Sequence, residues 1–329
     1  MSILVTGGTG LIGSNVVRTL IDKGREVIIL DRQPFPSEQN NVLRDVPDKY
    51  KLVIGNVADL AYTLDIVKKY HVEGIIHLAS MMPQAANEHP IEGLHVNIIG
   101  SANMLEAARI LDLKRVILTS SSAVYGAVDD IFTPRHEEEI ILPATGIYAL
   151  SKITIEQLTY TYRALYGVDT VVLRPQAVYG PGEQGHRSTL PISEMVSDAL
   201  AGKSIVRESG GDSVTSLTYV KDYAKGVVQA YDCPKLPYHI YNLGYGQNRT
   251  MFEVAEVLRN LFPNLTIKFG PGLGSNFLAK GEQKDLTHRV AQRPPHDNTR
   301  ARQDFGYNPE WPIERAIPDW IRWLKEGKY

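Results

Sequence analysis

The chain has 329 residues, roughly two domains at about 150 residues each, and its 43% apolar and 22% charged residues exclude a disordered or fibrous chain. A net charge of −2 lacks the basic excess of nucleic-acid-binding proteins, and no apolar segment approaches the ~20 residues that cross a bilayer. With no recognisable signal peptide and a single cysteine, Cys233, we expect a cytoplasmic protein without an internal disulfide, a bound metal, or nucleic-acid or membrane partners.

Short apolar segments alternate with amphipathic segments in the first half of the chain. Segments rich in Val, Ile and Leu predict strands at residues 2–5, 27–30, 51–54, 74–78, 116–119 and 170–173. Helical periodicity is found between them, at residues 12–23, 59–70, 91–111 and 148–166. This alternation indicates right-handed crossovers and a parallel sheet covered on both faces. We therefore predict an α/β fold with a Rossmann-type doubly wound parallel sheet.

A smaller second domain is predicted after Pro175, where the pattern changes. A Gly-Pro-Gly run at 180–182 marks a loop, and the loops that follow are longer. Helical patterns recur at residues 194–201, 252–261 and 320–325. We predict a dinucleotide-binding domain of residues 1–176 plus about 216–241, and a C-terminal α/β substrate domain of residues 177–215 and 242–329.

A glycine-rich segment directly follows the first predicted strand. Gly8, Gly10 and Gly13 match the pattern G-x-G-x-x-G, and Gly7, Gly10 and Gly13 match the variant with two residues in each gap. Glycine permits the tight turn, lets a pyrophosphate approach the backbone and lets the helix pack closely on the strand. The anion is then bound by free N–H groups at the helix N-terminus. The segment therefore predicts a dinucleotide-binding turn.

Asp31 stands at the end of the second predicted strand, eighteen residues after Gly13, and is followed by Arg32. An acidic side chain at this place accepts hydrogen bonds from the 2′-hydroxyl of a ribose and repels a 2′-phosphate. The sequence therefore favours NAD over NADP.

Tyr148 and Lys152 begin a predicted helix, and their four-residue spacing places them on one helix face. A phenol with a pKa near 10 is a poor base at neutral pH, but a nearby ammonium group stabilises the phenolate and lowers that pKa. The pair can therefore accept a proton from an alcohol. Hydroxyl side chains at 119–122 follow the fifth predicted strand, at the edge where sheets of this type bind ligands.

The glycine turn, the Ser-rich segment and the Tyr148–Lys152 pair, in this order, resemble the extended short-chain dehydrogenase/reductase superfamily. More narrowly, they resemble the NAD-dependent epimerase/dehydratase group that includes UDP-galactose 4-epimerase. The resemblance covers nearly the whole chain and is most specific in the first 180 residues. Further matching segments are residues 77–80, 55–57, 173–175 and 179–181, together with Asn97.

The resemblance implies a role for each matching residue. Tyr148 would be the acid/base, and Lys152 would hold the nicotinamide ribose and tune Tyr148. Ser121, with Ser122 as the alternative, would hydrogen-bond the reacting oxygen. NAD would contact Gly7, Gly10, Leu11, Ile12, Gly13, Asp31, Arg32, Asn56, Val57, Leu78, Ala79, Ser80, Asn97, Thr119, Tyr148, Lys152, Pro175 and Val178. The substrate would contact Met81, Ser121, Ser122, Tyr148, His186 and Arg187. A homodimer built on the helices at 91–111 and 148–166 is also implied.

Departures from the family pattern narrow the expected reaction. Family dehydratases carry Asp-Glu where this chain has Ser122 and Ala123, which disfavours dehydration. Nucleotide-sugar members carry an asparagine where this chain has Ala177, and a phosphate-binding arginine where it has Thr215. Losing an arginine fork removes a strong bidentate phosphate contact, although Arg293 lies near a second phosphate-binding position.

Three functions follow in order of preference. The first is an NAD-dependent oxidoreductase that transfers hydride at a secondary alcohol carbon of a small hydroxylated substrate, such as a sugar or sugar acid. The second is a UDP-sugar 4-epimerase with tightly bound NAD. The third is a non-catalytic dinucleotide-binding sensor, which the intact Ser121, Tyr148 and Lys152 disfavour.

Overall fold

The structure, a computed structural model, describes residues 1–35, 41–126, 132–140, 143–183, 191–272, 294–327 and 329. His186, Arg187 and Arg293, which the sequence singles out, lie outside these ranges. Within the described ranges, no helix has both the length and the apolar character needed to cross a membrane. The cytoplasmic location stays a prediction.

Strands and helices alternate as the sequence predicts. The strands are β1 (Ser2–Thr6), β2 (Glu26–Asp31), β3 (Tyr50–Ile54), β4 (Val72–His77), β5 (Arg115–Thr119), β6 (Thr170–Pro175), β7 (Val178–Tyr179), β8 (Ile205–Arg207), β9 (Val214–Thr215), β10 (Thr218–Tyr219), β11 (Ile240–Leu243), β12 (Arg249–Thr250) and β13 (Ile267–Phe269). The helices are α1 (Leu11–Asp22), α2 (Leu60–Lys69), α3 (Pro83–Glu88), α4 (Pro90–Leu94), α5 (Gly100–Leu111), α6 (Ile147–Tyr166), α7 (Pro191–Leu200), α8 (Val220–Asp232), α9 (Met251–Leu261), α10 (Thr299–Phe305) and α11 (Ile313–Glu326).

Seven parallel strands form the central sheet in the order β11-β6-β5-β4-β1-β2-β3. Their carboxyl ends therefore lie at one edge of the sheet. The strand order reverses between β1 and β4, the place where open sheets of this kind form a ligand crevice. The predicted doubly wound parallel sheet is confirmed.

Strand β1 illustrates how the sheet is buried on both faces. The side chains of Ile3 and Val5 pack into a core cluster that also contains residues of α1 and α8. The side chain of Leu4 packs into a second cluster that contains residues of α2, α5 and α6. All three side chains are fully buried, which explains why the strand sequence is continuously apolar.

The later part of the chain adds three small two-stranded sheets, formed by β7 with β10, β8 with β13 and β9 with β12. Strand β11 and helix α8 return to the central sheet: β11 pairs with β6, and α8 packs against α1. Helix α9 begins with a capping box between Thr250 and Glu253, which satisfies two N–H groups at the helix start. The predicted domain boundaries remain a prediction.

The helix predicted at 91–111 differs from a single regular helix. A π-helical turn, His95–Ile99, separates α4 from α5. The hydroxyl of Ser101 donates to the carbonyl oxygen of Asn97 at 2.7 Å, so a side chain competes for a helical carbonyl. The amide side chain of Asn97 is bonded outside the helix, to the backbone of Met81. Side-chain contacts with a distant segment therefore accompany the departure from α-helical geometry.

Candidate active site

The glycine turn between β1 and α1 is shaped by two close backbone contacts. Gly7 has a φ of +68°, and a Cβ on it would lie 2.7 Å from the amide nitrogen of Ala79. A Cβ on Gly13 would lie 2.1 Å from the carbonyl oxygen of Gly7, so α1 packs directly on the turn. Gly10 is the N-cap of α1, and its Cβ would meet only the carbonyl oxygen of Gly7, at 3.4 Å. Its outer side is therefore open, as a pyrophosphate on the helix N-terminus requires.

Asp31 lies at the end of β2 with its carboxylate fixed by the glycine turn. One carboxylate oxygen accepts from the N–H of Thr9 at 3.1 Å and from the Thr9 hydroxyl at 2.7 Å. The other oxygen accepts from the N–H of Arg32 at 2.8 Å. The sequence reasoning missed Thr9, although its place inside the glycine motif was a usable signal. The residues present fit the ribose and pyrophosphate of NAD.

The end of β4 is held by a chain of buried hydrogen bonds through His77. Thr6 Oγ1 lies 2.7 Å from His77 Nδ1, and His77 Nε2 lies 3.1 Å from Ser101 Oγ. The Ser101 hydroxyl donates to Asn97, so the network assigns the proton of the ring to Nε2. Burial, together with the nearby Lys152 charge, lowers the pKa of His77 to about 3. His77 is therefore neutral at physiological pH.

Asn97 positions the segment that follows β4. Its side-chain oxygen accepts from the N–H of Met81 at 2.7 Å and from the hydroxyl of Ser80 at 3.1 Å, and its Nδ2 donates to the Met81 carbonyl at 3.1 Å. Asn97 is 1% exposed. Leu78 and Ala79 precede the segment that Asn97 binds, and their N–H groups donate to Thr6 Oγ1.

Lys152 joins α6 to the end of β5. Its ammonium group donates to the carbonyl oxygen of Thr119 at 2.8 Å and lies 5.3 Å from the ring centroid of Tyr148. Burial lowers the pKa of Lys152 to about 8, while the Glu156 carboxylate acts in the opposite direction. The predicted pairing of Tyr148 and Lys152 on one helix face is thus present, with the cation beside the phenol ring.

Ser121 and Ser122 follow β5 and are both buried. The Ser121 hydroxyl oxygen accepts from the N–H of Ala123 at 3.1 Å, as the N-cap of the short 3₁₀ turn Ser122–Tyr125. This bond leaves the hydroxyl proton of Ser121 available as a donor. On the helix side, Asn87 accepts from the N–H of Ile147 at 3.1 Å and fixes the start of α6. Sequence reasoning missed Asn87, because its partner lies sixty residues away.

The segment after β6 also lies at this edge of the sheet. Pro175 ends β6, Val178 starts β7, and Ala177 between them has a φ of +38°, an uncommon backbone conformation for alanine. Asn15, fully buried in α1, donates to the carbonyl of Pro181 at 2.8 Å. The segment at Pro181 is therefore tied to α1.

The remaining predicted residues lie around this edge. Asn56 is exposed after β3, and its side chain accepts from the N–H of Ala58 at 3.0 Å. Val57 is buried, and Gly100 fits against it so closely that a Cβ would lie 2.7 Å from its Cγ2. The structure thus brings the described candidates together at the carboxyl ends of the strands β1 to β6. The predicted substrate contacts His186 and Arg187 lie outside the described residues.

Comparison with known proteins identifies the family. The sequence profile of the NAD dependent epimerase/dehydratase family matches residues 3–244. The chain belongs to the NAD-dependent epimerase/dehydratase family. It is therefore an NAD-dependent enzyme of the extended short-chain dehydrogenase/reductase type, and NAD is its cofactor. The family resemblance drawn from the sequence is confirmed.

Relatives in the NAD-dependent epimerase/dehydratase family match over the whole length. A putative UDP-glucose 4-epimerase of Methanocaldococcus jannaschii is 27% identical, with 99% of each chain covered. A UDP-glucuronate 4-epimerase of Thermodesulfobacterium geofontis is 28% identical, with 98% of this chain and 96% of the relative covered. The crystal structure of the Thermotoga maritima UDP-glucose 4-epimerase with UDP-glucose matches with a TM-score of 0.83 and 24% identity, over 99% of both chains. That last match supports the fold.

Proposed function

We propose that this enzyme oxidises or reduces a secondary alcohol carbon of a small hydroxylated substrate, with Tyr148 as the acid/base. The observation that carries the proposal is the placement of the Lys152 ammonium group 5.3 Å from the centroid of the Tyr148 ring and 2.8 Å from the Thr119 carbonyl oxygen. A fixed cation beside the phenol favours its ionised form. The phenolate then removes the proton of the substrate hydroxyl, and Ser121 donates a hydrogen bond to the same oxygen.

The cofactor would be held by the glycine turn, Asp31 and Lys152. When bound, NAD accepts the hydride of the alcohol carbon or returns it to a carbonyl carbon. Asp31 orients the adenosine ribose from a position that Thr9 fixes. Lys152 hydrogen-bonds the nicotinamide ribose while holding its charge near Tyr148.

The surroundings of Thr215 favour a small substrate. Thr215 stands where nucleotide-sugar members of the family carry a phosphate-binding arginine. Thr215 in β9 is paired directly with Arg249 in β12, so the two side chains lie on the same face. The guanidinium of Arg249 already binds Glu253 at 2.8 Å and Glu314 at 3.4 Å. Its charge is thus committed to two carboxylates, and it does not replace the arginine fork that a nucleotide phosphate uses.

A UDP-sugar 4-epimerase is the second candidate, favoured by the names of the relatives that match the whole chain. The two functions differ in the fate of the reduced cofactor. An absorbance assay at the NADH band, run with a panel of sugars, sugar acids and hydroxy acids, should show NADH accumulating with one small substrate. Epimerisation of a UDP-sugar without NADH release would instead support the second candidate.

We also propose a homodimer built on α4, α5 and α6. Apolar side chains are exposed along these helices: Ile91 (70%), Ile110 (46%), Leu150 (44%) and Leu165 (69%). The helices α4 and α5 each contact α6, and because exposed large apolar side chains on neighbouring helices are a feature of interaction sites, a second copy of the chain would cover them. The mass of the protein in solution tests this.

A further inference from the structure

A fully buried ion pair lies behind the proposed acid/base. Arg174 in β6 and Glu156 in α6 are both 0% exposed. The guanidinium is bidentate: Nε donates to one carboxylate oxygen at 2.8 Å and Nη2 to the other at 2.7 Å. Neither residue was a candidate site residue in the sequence analysis, although Arg174 lies in the matching segment 173–175.

Glu156 connects the two parts of the candidate site. It lies one helical turn after Lys152 and two turns after Tyr148, on the same face of α6. Its carboxylate also accepts from the hydroxyl of Ser120 at 2.6 Å, and Ser120 directly precedes Ser121. One carboxylate therefore joins the helix that carries the proposed acid/base to the turn that carries the proposed hydroxyl donor.

Arg174 extends the same network to the rest of the site. Its Nη1 donates to the hydroxyl of Tyr125 at 2.8 Å and to the carbonyl of Glu137 at 3.0 Å. The hydroxyl of Tyr125 donates in turn to Asn242 at 2.7 Å in β11. Arg174, which lies in β6, is thus connected to the turn after β5 and, through Tyr125, to β11. The same guanidinium binds the carboxylate of Glu156.

A buried ion pair contributes little net free energy to the stability of a core, because burying the two charges carries a large desolvation cost. Removing two charges from water costs several kcal/mol for each ion, and apolar replacements of similar size are often neutral or stabilising. Fold stability alone therefore gives no reason for a charged pair between α6 and β6. Its hydrogen bonds, in contrast, fix α6 at one distance and one register relative to the turn at Ser120.

We propose that the Glu156–Arg174 pair positions the active site, holding α6 against the turn at Ser120 and keeping a negative charge one helical turn from Lys152 so that its ammonium group stays charged. This inference rests on the proposed function of Lys152 and Tyr148. Glu156 touches neither substrate nor cofactor and is a positioning residue.

The charge on Lys152 depends on the groups packed around it. Among the described residues, Tyr148 and Glu156 on α6 and His77 on β4 interact with Lys152. Arg174 on β6 is paired with Glu156, and Tyr223 on α8 interacts with Tyr148. Burial lowers the pKa of His77 to about 3 and raises the pKa of Tyr223, so both are neutral near pH 8. Glu156 is thus the anion that opposes the effect of burial on the pKa of Lys152.

The test is the pH dependence of NADH binding, followed by fluorescence energy transfer from protein to NADH between pH 6 and 10. The wild type should lose affinity at alkaline pH as Lys152 deprotonates, and a Lys152→Met variant should lack this transition. In Glu156→Gln, the midpoint should fall by about 1 pH unit or more, because an opposing charge is removed and that of Arg174 remains. A double variant with Glu156→Leu and Arg174→Met should fold without the buried ion pair. Its midpoint should lie between those of the wild type and Glu156→Gln.

Asp169→Asn is the matched control, because Asp169 pairs with the buried Arg115 at the other end of β5. Its midpoint should equal that of the wild type. An unchanged midpoint in both Glu156 variants, with affinity lowered equally at every pH, would reduce the pair to a structural element. NADH binding needs no substrate, so this test does not depend on the identity of the alcohol. Failure to find an alcohol that the enzyme oxidises would overturn the proposed function without changing the outcome of the NADH-binding test.

Discussion

Thr9 donates both its N–H and its hydroxyl to one carboxylate oxygen of Asp31, at 3.1 and 2.7 Å. The carboxylate at the end of β2 is therefore oriented by the glycine turn itself. A side chain held in this way loses little conformational entropy when it binds a ribose. We propose that the turn and the acidic residue act as one preorganised unit for the adenosine half of NAD.

Asp31→Asn should reduce the preference for NAD over NADP. The variant keeps the shape of the side chain but removes the charge that repels a 2′-phosphate. We expect the ratio of the two dissociation constants to fall by at least about tenfold, equivalent to ~1.4 kcal/mol. Calorimetric titration with each cofactor measures it. Thr9→Val, which keeps the Asp31 charge, should change the ratio less, and an unchanged ratio in Asp31→Asn would remove Asp31 as the ribose-reading residue.

Alanine substitutions at Gly10 and at Gly13 should have different effects, the first on NAD affinity and the second on the free energy of unfolding. Gly10 has room for a Cβ in the free protein, whereas a Cβ on Gly13 would lie 2.1 Å from the Gly7 carbonyl oxygen. Gly13→Ala should therefore lower the free energy of unfolding by about 1–3 kcal/mol. Gly10→Ala should melt near the wild-type temperature and yet lose NAD affinity, because the methyl group occupies the open side of the turn. Wild-type NAD binding by Gly10→Ala would place the pyrophosphate elsewhere.

His77 should make the fold sensitive to acid. Burial lowers its pKa from 6.5 to about 3, so between these values the unfolded chain binds a proton that the folded chain excludes. Stability therefore rises with pH in this window and falls on acidification, by up to about 1.4 kcal/mol per pH unit. In urea unfolding between pH 6.5 and 4.5, His77→Asn should have a shallower slope than the wild type. The exposed His95, changed to Asn, is the control, and equal slopes for wild type and His77→Asn would contradict the assignment.

Ile91→Glu should weaken the proposed dimer. Ile91 is 70% exposed in α4, and a carboxylate placed in an apolar interface carries a desolvation cost. Sedimentation equilibrium should give a dimer for the wild type and a larger monomer fraction for the variant. Val206→Glu provides the control, because Val206 is 63% exposed in β8, outside the proposed interface. A monomeric wild type would contradict the proposal.

Periodicity predicted the elements of the sheet well. The predicted strand at 2–5 and the helix at 148–166 differ from the structure by a single residue at one end, because buried parallel strands and long amphipathic helices carry strong local patterns. The π-helical turn His95–Ile99 was not predictable, since it accompanies bonds between Asn97 and the distant Met81. Strand β11 was missed as well, because the polar Asn242 interrupts its apolar segment, unlike the Val-, Ile- and Leu-rich segments that were recognised.

The parts of the candidate site that lie within short sequence motifs were predictable. The Tyr148–Lys152 spacing and the glycine turn are local features, and the structure places both at the same sheet edge. Arg174 lies in the matching segment 173–175, but its pairing with Glu156 gave no such signal, because it joins α6 to β6 across eighteen residues and depends on the packed fold. Buried tertiary partners of this kind follow from coordinates and not from spacing.

The acid/base role of Tyr148 is tested most directly by the single-turnover rate of NAD reduction in Tyr148→Phe. The rate is measured by stopped-flow absorbance at saturating NAD, with the substrate that the panel identifies. We expect a rate about 10²–10⁴ times lower than that of the wild type, with the dissociation constant of NAD unchanged. A rate close to that of the wild type would contradict the assignment of Tyr148 as the acid/base.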